Sequence, residues 1–216
     1  IKISNCVNKF DIKTKVYAHI GKMNLSIASN TKIIGSAGRL VTIKGYNYLI
    51  YAAKKILEKM PNIKFIIAGE GPVKQDLIKE TEKLGILENF IFTGFVEDIY
   101  TLISTFDLFV MPSVNEGIPI VLLETMVLGI PIIATKVGGI PEILTHRING
   151  LLVAPGDISE LATTCLYALK KSNKIRLMAE NAREHVAKEF SPQKIAKQTS
   201  ELYQTLINND LHDEAR

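Results

Sequence analysis

DLFVMPSVNEGIPIVLLETMVLGIPIIAT, residues Asp107–Thr135, decides the fold. Its opening run, Asp107–Ser113, is continuously apolar apart from its ends and reads as a buried strand. A loop holding Glu116 and Gly117 follows. Pro119 suits the first turn of a helix, where a missing N–H costs nothing. The helix runs on to Met126, and Gly129 suits its C-terminal stop. Pro131–Thr135 is a second short apolar run and reads as the next strand. Strands that are apolar throughout, joined by a helix, belong to a parallel sheet covered on both faces.

The same alternation continues in both directions. Strands are expected at Lys32–Gly38, Ile63–Gly69, Asn89–Gly94 and Gly150–Val153. Helices are expected at Tyr46–Met60, ended by Pro61, at Val73–Leu84, stopped by Gly85, and at Asp98–Ser104. From Ile158 to about Ile207 the chain reads as helical with a break at Ser191–Gln193. Right-handed crossovers turn this order into an α/β fold, a Rossmann-like doubly wound parallel sheet of about six strands with a helical C-terminus. The expected division is 1–30 as an interdomain linker or domain start, 31–189 as the sheet domain, and 190–216 as a C-terminal helix and tail.

Composition narrows the classes. The chain has 216 residues, 47% hydrophobic and 22% charged, enough for a sizeable core without staples. Its net charge of +4 comes from scattered lysines, weak support for nucleic acid and compatible with a small anionic ligand. Cys6 and Cys165 are far apart, which argues against a disulfide framework or zinc site and suits a reducing compartment. No apolar run reaches membrane-span length, and no signal-peptide pattern opens the chain. The absence of an initiator Met reads as an internal cut in a longer protein. Phosphate-loop, dinucleotide-fingerprint and esterase-elbow motifs are missing, as is a DxD triplet for a divalent metal. The histidines are scattered: His185 reads as solvated on a charged helix and His146 as a loop residue.

In such sheets ligands bind outside the carboxyl ends of the strands. The loops there are GRLVTIKG, GEGP, GFVED, PSVNEGIP and TKVGGIPE, each with glycine. Arg39 and Lys44, on one loop, suit a diphosphate, although both residue types are also common in solvated loops. Glu116 and Glu124 bracket a helix N-terminus that favours an anion. Either carboxylate can instead complement the helix dipole, a reading that suits Glu116 better than Glu124, which lies among Leu122, Leu123, Met126 and Val127. A carboxylate at Glu124 is a natural partner for a vicinal diol. Asp98 suits the start of its helix, and KVGGIPE is accounted for as a turn into Pro141.

In this order, GRLVTIKG, IAGEGP, FTGFVED, PSVNEGIPIVLLETMVLGIPIIATKVGGIPEIL and NGLLVAPGD resemble the family-four retaining glycosyltransferases of glycosyltransferase group 1. The resemblance is to the C-terminal, nucleotide-sugar-binding half of a two-domain GT-B fold. It spans roughly Asn5–Ile207 and is most specific over Pro112–Leu144.

The resemblance implies roles. Arg39 and Lys44 would hold the donor diphosphate. Glu116 and Glu124 match the family's E-x7-E motif, the first expected beside the donor sugar as the catalytic candidate, the second accepting from ribose hydroxyls. The backbone of Gly117, Ile118, Pro119, Ile120 and Val121 is expected near sugar and phosphate, and Phe95 and Val96 beside the base. The donor is a UDP-, GDP- or ADP-sugar; no cofactor and no metal are implied. An N-terminal acceptor-binding domain is the implied partner, without which this fragment is expected not to catalyse transfer. That domain would carry any membrane contact. The expected location is the cytoplasm, with peripheral attachment at the inner membrane face as the variant for a full-length enzyme. Polysaccharide or lipid-linked glycan synthesis is the implied setting. Two departures stand out. Pro119 removes an N–H from the loop, and Asn5-Cys6-Val7-Asn8 stands where the family often shows Asn-Gly-Val-Asp. The last helix, with Ile195, Leu202 and Leu206 on one face, is expected to pack on the absent domain or cap this one. Alternative readings are a non-catalytic nucleotide-sugar-binding or interaction domain, or a GT-B-like sugar-nucleotide epimerase, against which the E-x7-E spacing speaks.

Overall fold

The computed structural model of the chain describes residues 5–7, 27–28, 30–170 and 172–213. Its strands are β1 (Lys32–Ala37), β2 (Ile63–Ala68), β3 (Phe90–Gly94), β4 (Leu108–Met111), β5 (Ile132–Thr135) and β6 (Leu151–Val153). They form one six-stranded sheet in the order β3-β2-β1-β4-β5-β6, and every pairing is parallel. The order reverses between β1 and β4, which opens a crevice at their carboxyl ends.

The helices are α1 (Tyr46–Leu57), α2 (Lys74–Lys83), α3 (Ile99–Ser104), α4 (Ile120–Val127), α5 (Ile140–Ile143), α6 (Ile158–Lys170), α7 (Ser172–Glu189) and α8 (Pro192–Asp213). Alternate strand residues point to opposite faces, so each strand feeds two cores. Ile34, Phe65, Ile67, Leu108, Val110 and Ile133 pack against α1, α2 and α6, through Leu49, Ile50, Leu77, Leu161 and Cys165. Ile33, Ile66, Phe109, Met111, Ile132 and Ala134 pack against α3, α4 and α7, through Ile103, Leu122, Met126 and Val186. This is the doubly wound sheet expected from the continuous apolar runs.

Differences are local. Pro119 sits at the N-cap of α4 in an extended conformation (φ −75°, ψ 123°), so the helix starts one residue later than the reading that placed it in the first turn. Gly129 (φ +67°) closes α4 as anticipated. Thr42–Lys44 forms a 3₁₀ turn that the apolar pattern does not reveal. Of the expected linker, Asn5, Cys6 and Val7 are described: Val7 is buried and its N–H donates to Phe190 O (3.1 Å). Apart from residues 27, 28 and 30, the rest of 1–30 lies outside the described residues. On α8, Leu206 is exposed, as are Tyr203 and Ile207, whereas Ile195 and Leu202 are partly covered. Among the described residues no helix is long and apolar enough to cross a membrane.

Candidate functional site

The five loops at the carboxyl edge are laced together by their backbones. Gly38 N–H donates to Ala68 O and Leu40 N–H to Glu70 O, which pins both flanks of Arg39 against the loop after β2. Gly69 N–H donates to Gly94 O (2.8 Å), tying that loop to the one after β3. Val114 N–H donates to Ile43 O (2.8 Å) and Gly139 N–H to Glu116 O (3.3 Å), joining the loop after β4 to those after β1 and β5. Such bonds between loops far apart in sequence make a rigid platform, since each satisfies a backbone group that would otherwise need water.

Glycine permits this approach at one position and is needless at another. Gly138 has φ +51°, and a Cβ there would lie 1.7 Å from Glu116 O, so only glycine fits beneath the Glu116 loop. Gly117 is different. Its φ is not in the left-handed region and a Cβ would meet nothing within 4 Å. The turn after β4 therefore does not demand glycine at 117. What the small residue leaves there is open space beside the N-terminus of α4.

The site residues fall into two adjoining groups. In the first, Lys44 Nζ lies 2.6 Å from Glu116 Oε1, with the side chains 21% and 8% exposed. Ser113 Oγ also donates to Glu116 Oε1 (2.6 Å), and Thr135 Oγ1 in turn donates to Ser113 O. Lys44 is placed by its 3₁₀ turn, Ser113 and Glu116 by the end of β4. A carboxylate this covered is tolerable because both a cation and a hydroxyl face it. Nearby, burial first and the Glu116 charge second push the Tyr46 phenol well above its usual range, so it remains protonated.

The second group lines a cleft of about 360 Å³. Its walls include Gly38 and Arg39 after β1, Glu70 after β2, Phe95 and Val96 after β3, and Val121 and Glu124 on α4. Phe95 is 80% exposed, an aromatic face held out over the cleft. Glu124 is half-buried; burial raises its carboxyl above the ordinary carboxylate range, and a hydrogen bond donated by Tyr100 Oη (3.1 Å) opposes the rise. The first helical bonds of α4 come from Leu122 and Leu123 to Pro119 O. The N–H groups of Ile120 and Val121 therefore precede the helix's own bonding, as at any helix start. Asp98 caps α3 by accepting from Thr101 N–H (3.0 Å) and Thr101 Oγ1 (2.6 Å).

Thus Arg39, Phe95, Val96, Val121 and Glu124 share one cleft, while Lys44 and Glu116 form the neighbouring pair. Ile118 and Ile120 lie between the groups in sequence; Ile118 O accepts from Asn5 Nδ2 (2.9 Å), and Ile120 is exposed. Sequence reasoning missed Ser113, Tyr100, Thr135 and Glu70. Ser113 had a signal, lying three residues before Glu116 at the strand end. Tyr100 had none, being twenty-four residues from Glu124. His185 departs from its expected solvation: its Nε2 is buried without a hydrogen-bond partner, and its ring lies 5.9 Å from that of Phe190. His146 is structural, its Nδ1 accepting from Leu152 N–H (3.0 Å). A larger cavity, about 640 Å³, lies away from the strand-end loops, between Val7, Val127 and residues of α7 and α8.

Residues 22–185 match the family described as glycosyl transferases group 1. An uncharacterized glycosyltransferase of Methanocaldococcus jannaschii is 34% identical over 206 residues, covering 93% of this chain and 53% of that protein. The crystal structure of HepE from Anabaena in complex with UDP-glucose superposes with a TM-score of 0.83 at 28% identity, over 93% of this chain and 57% of that one. The C-terminal domain of a glycosyl transferase group 1 family protein, LpcC of Francisella tularensis, aligns at 28% identity with a TM-score of 0.71, over 84% of this chain and 99% of that domain. The chain spans about half the length of the curated relatives it matches.

Proposed function

Because the chain belongs to the glycosyl transferases group 1 family, a family of transferases with the GT-B fold, we propose that it is the nucleotide-sugar-binding half of a retaining glycosyltransferase. The observation that carries this is the convergence, at the switch point between β1 and β4, of Arg39, Glu124 and the exposed Phe95 ring around one cleft, with the Lys44–Glu116 pair beside it. On this reading Phe95 and Val96 face the base and Glu124 accepts from the ribose hydroxyls. Arg39, Lys44 and the N–H groups of Ile120 and Val121 take the diphosphate, with Gly117, Ile118 and Pro119 forming the wall beside the sugar. A donor diphosphate competes with Glu116 for Lys44, and Glu116 then faces the sugar as the catalytic candidate.

In transfer, the bond from the anomeric carbon to the diphosphate breaks and the acceptor hydroxyl bonds to that carbon with retained configuration. The hydroxyl proton leaves with the diphosphate. The negative charge growing on the leaving group is what Arg39, Lys44 and the helix N-terminus stabilise, so no metal is invoked. The acceptor, and the groups that bind it, lie with an N-terminal domain outside this chain. HepE was crystallised with UDP-glucose, which makes UDP the first probe.

The test is calorimetric titration of the chain with UDP, GDP, ADP and the corresponding sugars in the presence of a chelator. One base is expected to bind selectively without metal. Binding that appears only when a divalent cation is restored would overturn the metal-free assignment. A folded chain that binds none of them would overturn the donor site.

A further inference from the structure

We propose that Tyr100 is a positioning residue for Glu124: its hydroxyl holds the carboxylate in place and couples the base-facing loop to the ribose-facing helix. The inference rests on the donor-site reading above, but its geometry is independent of it. Tyr100 Oη donates to Glu124 Oε1 at 3.1 Å, across α3 and α4. A phenol is a directional donor fixed by a rigid ring, and a carboxylate that accepts one such bond keeps lone pairs on both oxygens for further donors. Two vicinal hydroxyls need that remaining capacity in one orientation, and a free Glu side chain has several rotamers to lose before it reaches it.

The bond also connects two walls of the same cleft. α3 begins at Asp98, whose carboxylate holds Thr101 N–H and Thr101 Oγ1. Asp98 directly follows Phe95–Val96–Glu97, so the capped start of α3 fixes the loop whose Phe95 and Val96 line the cleft. Tyr100 then carries that placement to Glu124 on the opposite wall. Ile99 beside it and Val121, one turn before Glu124, close the apolar floor between them.

The bond bears on protonation as well as position. Burial raises the Glu124 carboxyl, while burial and the Glu124 charge push the Tyr100 phenol up to about 12, so the tyrosine remains the donor throughout the working range. Because the hydrogen bond favours the ionised carboxylate, removing it raises the Glu124 carboxyl further.

The experiment is a side-chain carboxyl NMR titration of Glu124 in the wild-type chain and in Tyr100→Phe, paired with the pH profile of nucleoside diphosphate affinity (UDP, GDP and ADP) for both and for Glu124→Gln. In Tyr100→Phe the Glu124 midpoint is expected to move to higher pH, and the acid-side loss of nucleotide affinity to move with it. Affinity at neutral pH falls about 3- to 10-fold, as for one hydrogen bond. An unmoved Glu124 midpoint, or affinity lowered by a constant factor at every pH, reduces Tyr100 to a packing residue and overturns the inference. Wild-type affinity in Glu124→Gln overturns the donor-site reading instead, while the NMR midpoints still decide the Tyr100–Glu124 bond.

Discussion

At the scale of single residues, the site holds two carboxylates in unlike surroundings. Glu116 is nearly covered and faces Lys44 and Ser113. Removing the cation leaves a desolvated charge with one hydroxyl, so Lys44→Ala should lower stability by about 2 kcal/mol, and Lys44→Met with Glu116→Gln by clearly less. Denaturant unfolding of the three proteins measures this; a double variant that loses as much as Lys44→Ala or more would show that the loss does not come from an uncompensated Glu116 charge. Glu124 is the converse case. Its folded carboxyl is raised, so the folded state holds its proton over a window just above the unfolded value, and this group's contribution to stability falls as pH rises through that window. Glu124→Gln should therefore melt no lower than wild type at neutral pH while losing nucleotide affinity; a clear drop in melting temperature would assign Glu124 to structure. Arg39, Lys44 and Glu116 were legible as candidates because they are charges beside glycines in strand-end loops, and Glu124 because it is a carboxylate among Leu122, Leu123, Met126 and Val127. Ser113 and Tyr100 were not, because a serine or tyrosine acquires meaning only from a partner that the fold brings up.

At the scale of elements, strands and helices were legible because buried parallel strands are apolar throughout and their helices are punctuated by Pro and Gly. β1 to β6 all lie within the expected runs. What escaped depends on hydrogen bonding rather than hydrophobicity: the 3₁₀ turn that presents Lys44. The loops make a sharper prediction. Gly138→Ala places a methyl against Glu116 O at a left-handed φ and should cost at least about 2 kcal/mol, displacing the Glu116 loop. Gly117→Ala meets open space and should leave stability unchanged while weakening sugar-nucleotide binding more than that of the nucleoside diphosphate alone. Thermal melts and titrations of both variants separate the two effects; destabilisation by Gly117→Ala would restore that glycine to a structural role.

At the scale of the whole molecule, one sheet with a core on each face gives the loops at its carboxyl edge a rigid base. Phe109 is fully buried in one core, and Phe109→Ala should cost about 3–5 kcal/mol by denaturant unfolding. A loss below about 1 kcal/mol would mean that this face is loosely packed. Right-handed crossovers make the sheet doubly wound but permit more than one strand order, so the carboxyl edge was foreseeable as the ligand side while the crevice between β1 and β4 came from the structure. The larger cavity beside α7 and α8 was not, because it forms between elements whose packing no local pattern specifies. That cavity is the natural competitor for any ligand. The decisive measurement is therefore a backbone amide NMR map of the chain titrated with UDP, GDP and ADP. The nucleotide that binds is expected to shift amides at Gly38–Leu40, Phe95–Val96 and Ile120–Glu124. Shifts confined to Val7, Arg183 and Ser191 around the other cavity would contradict it.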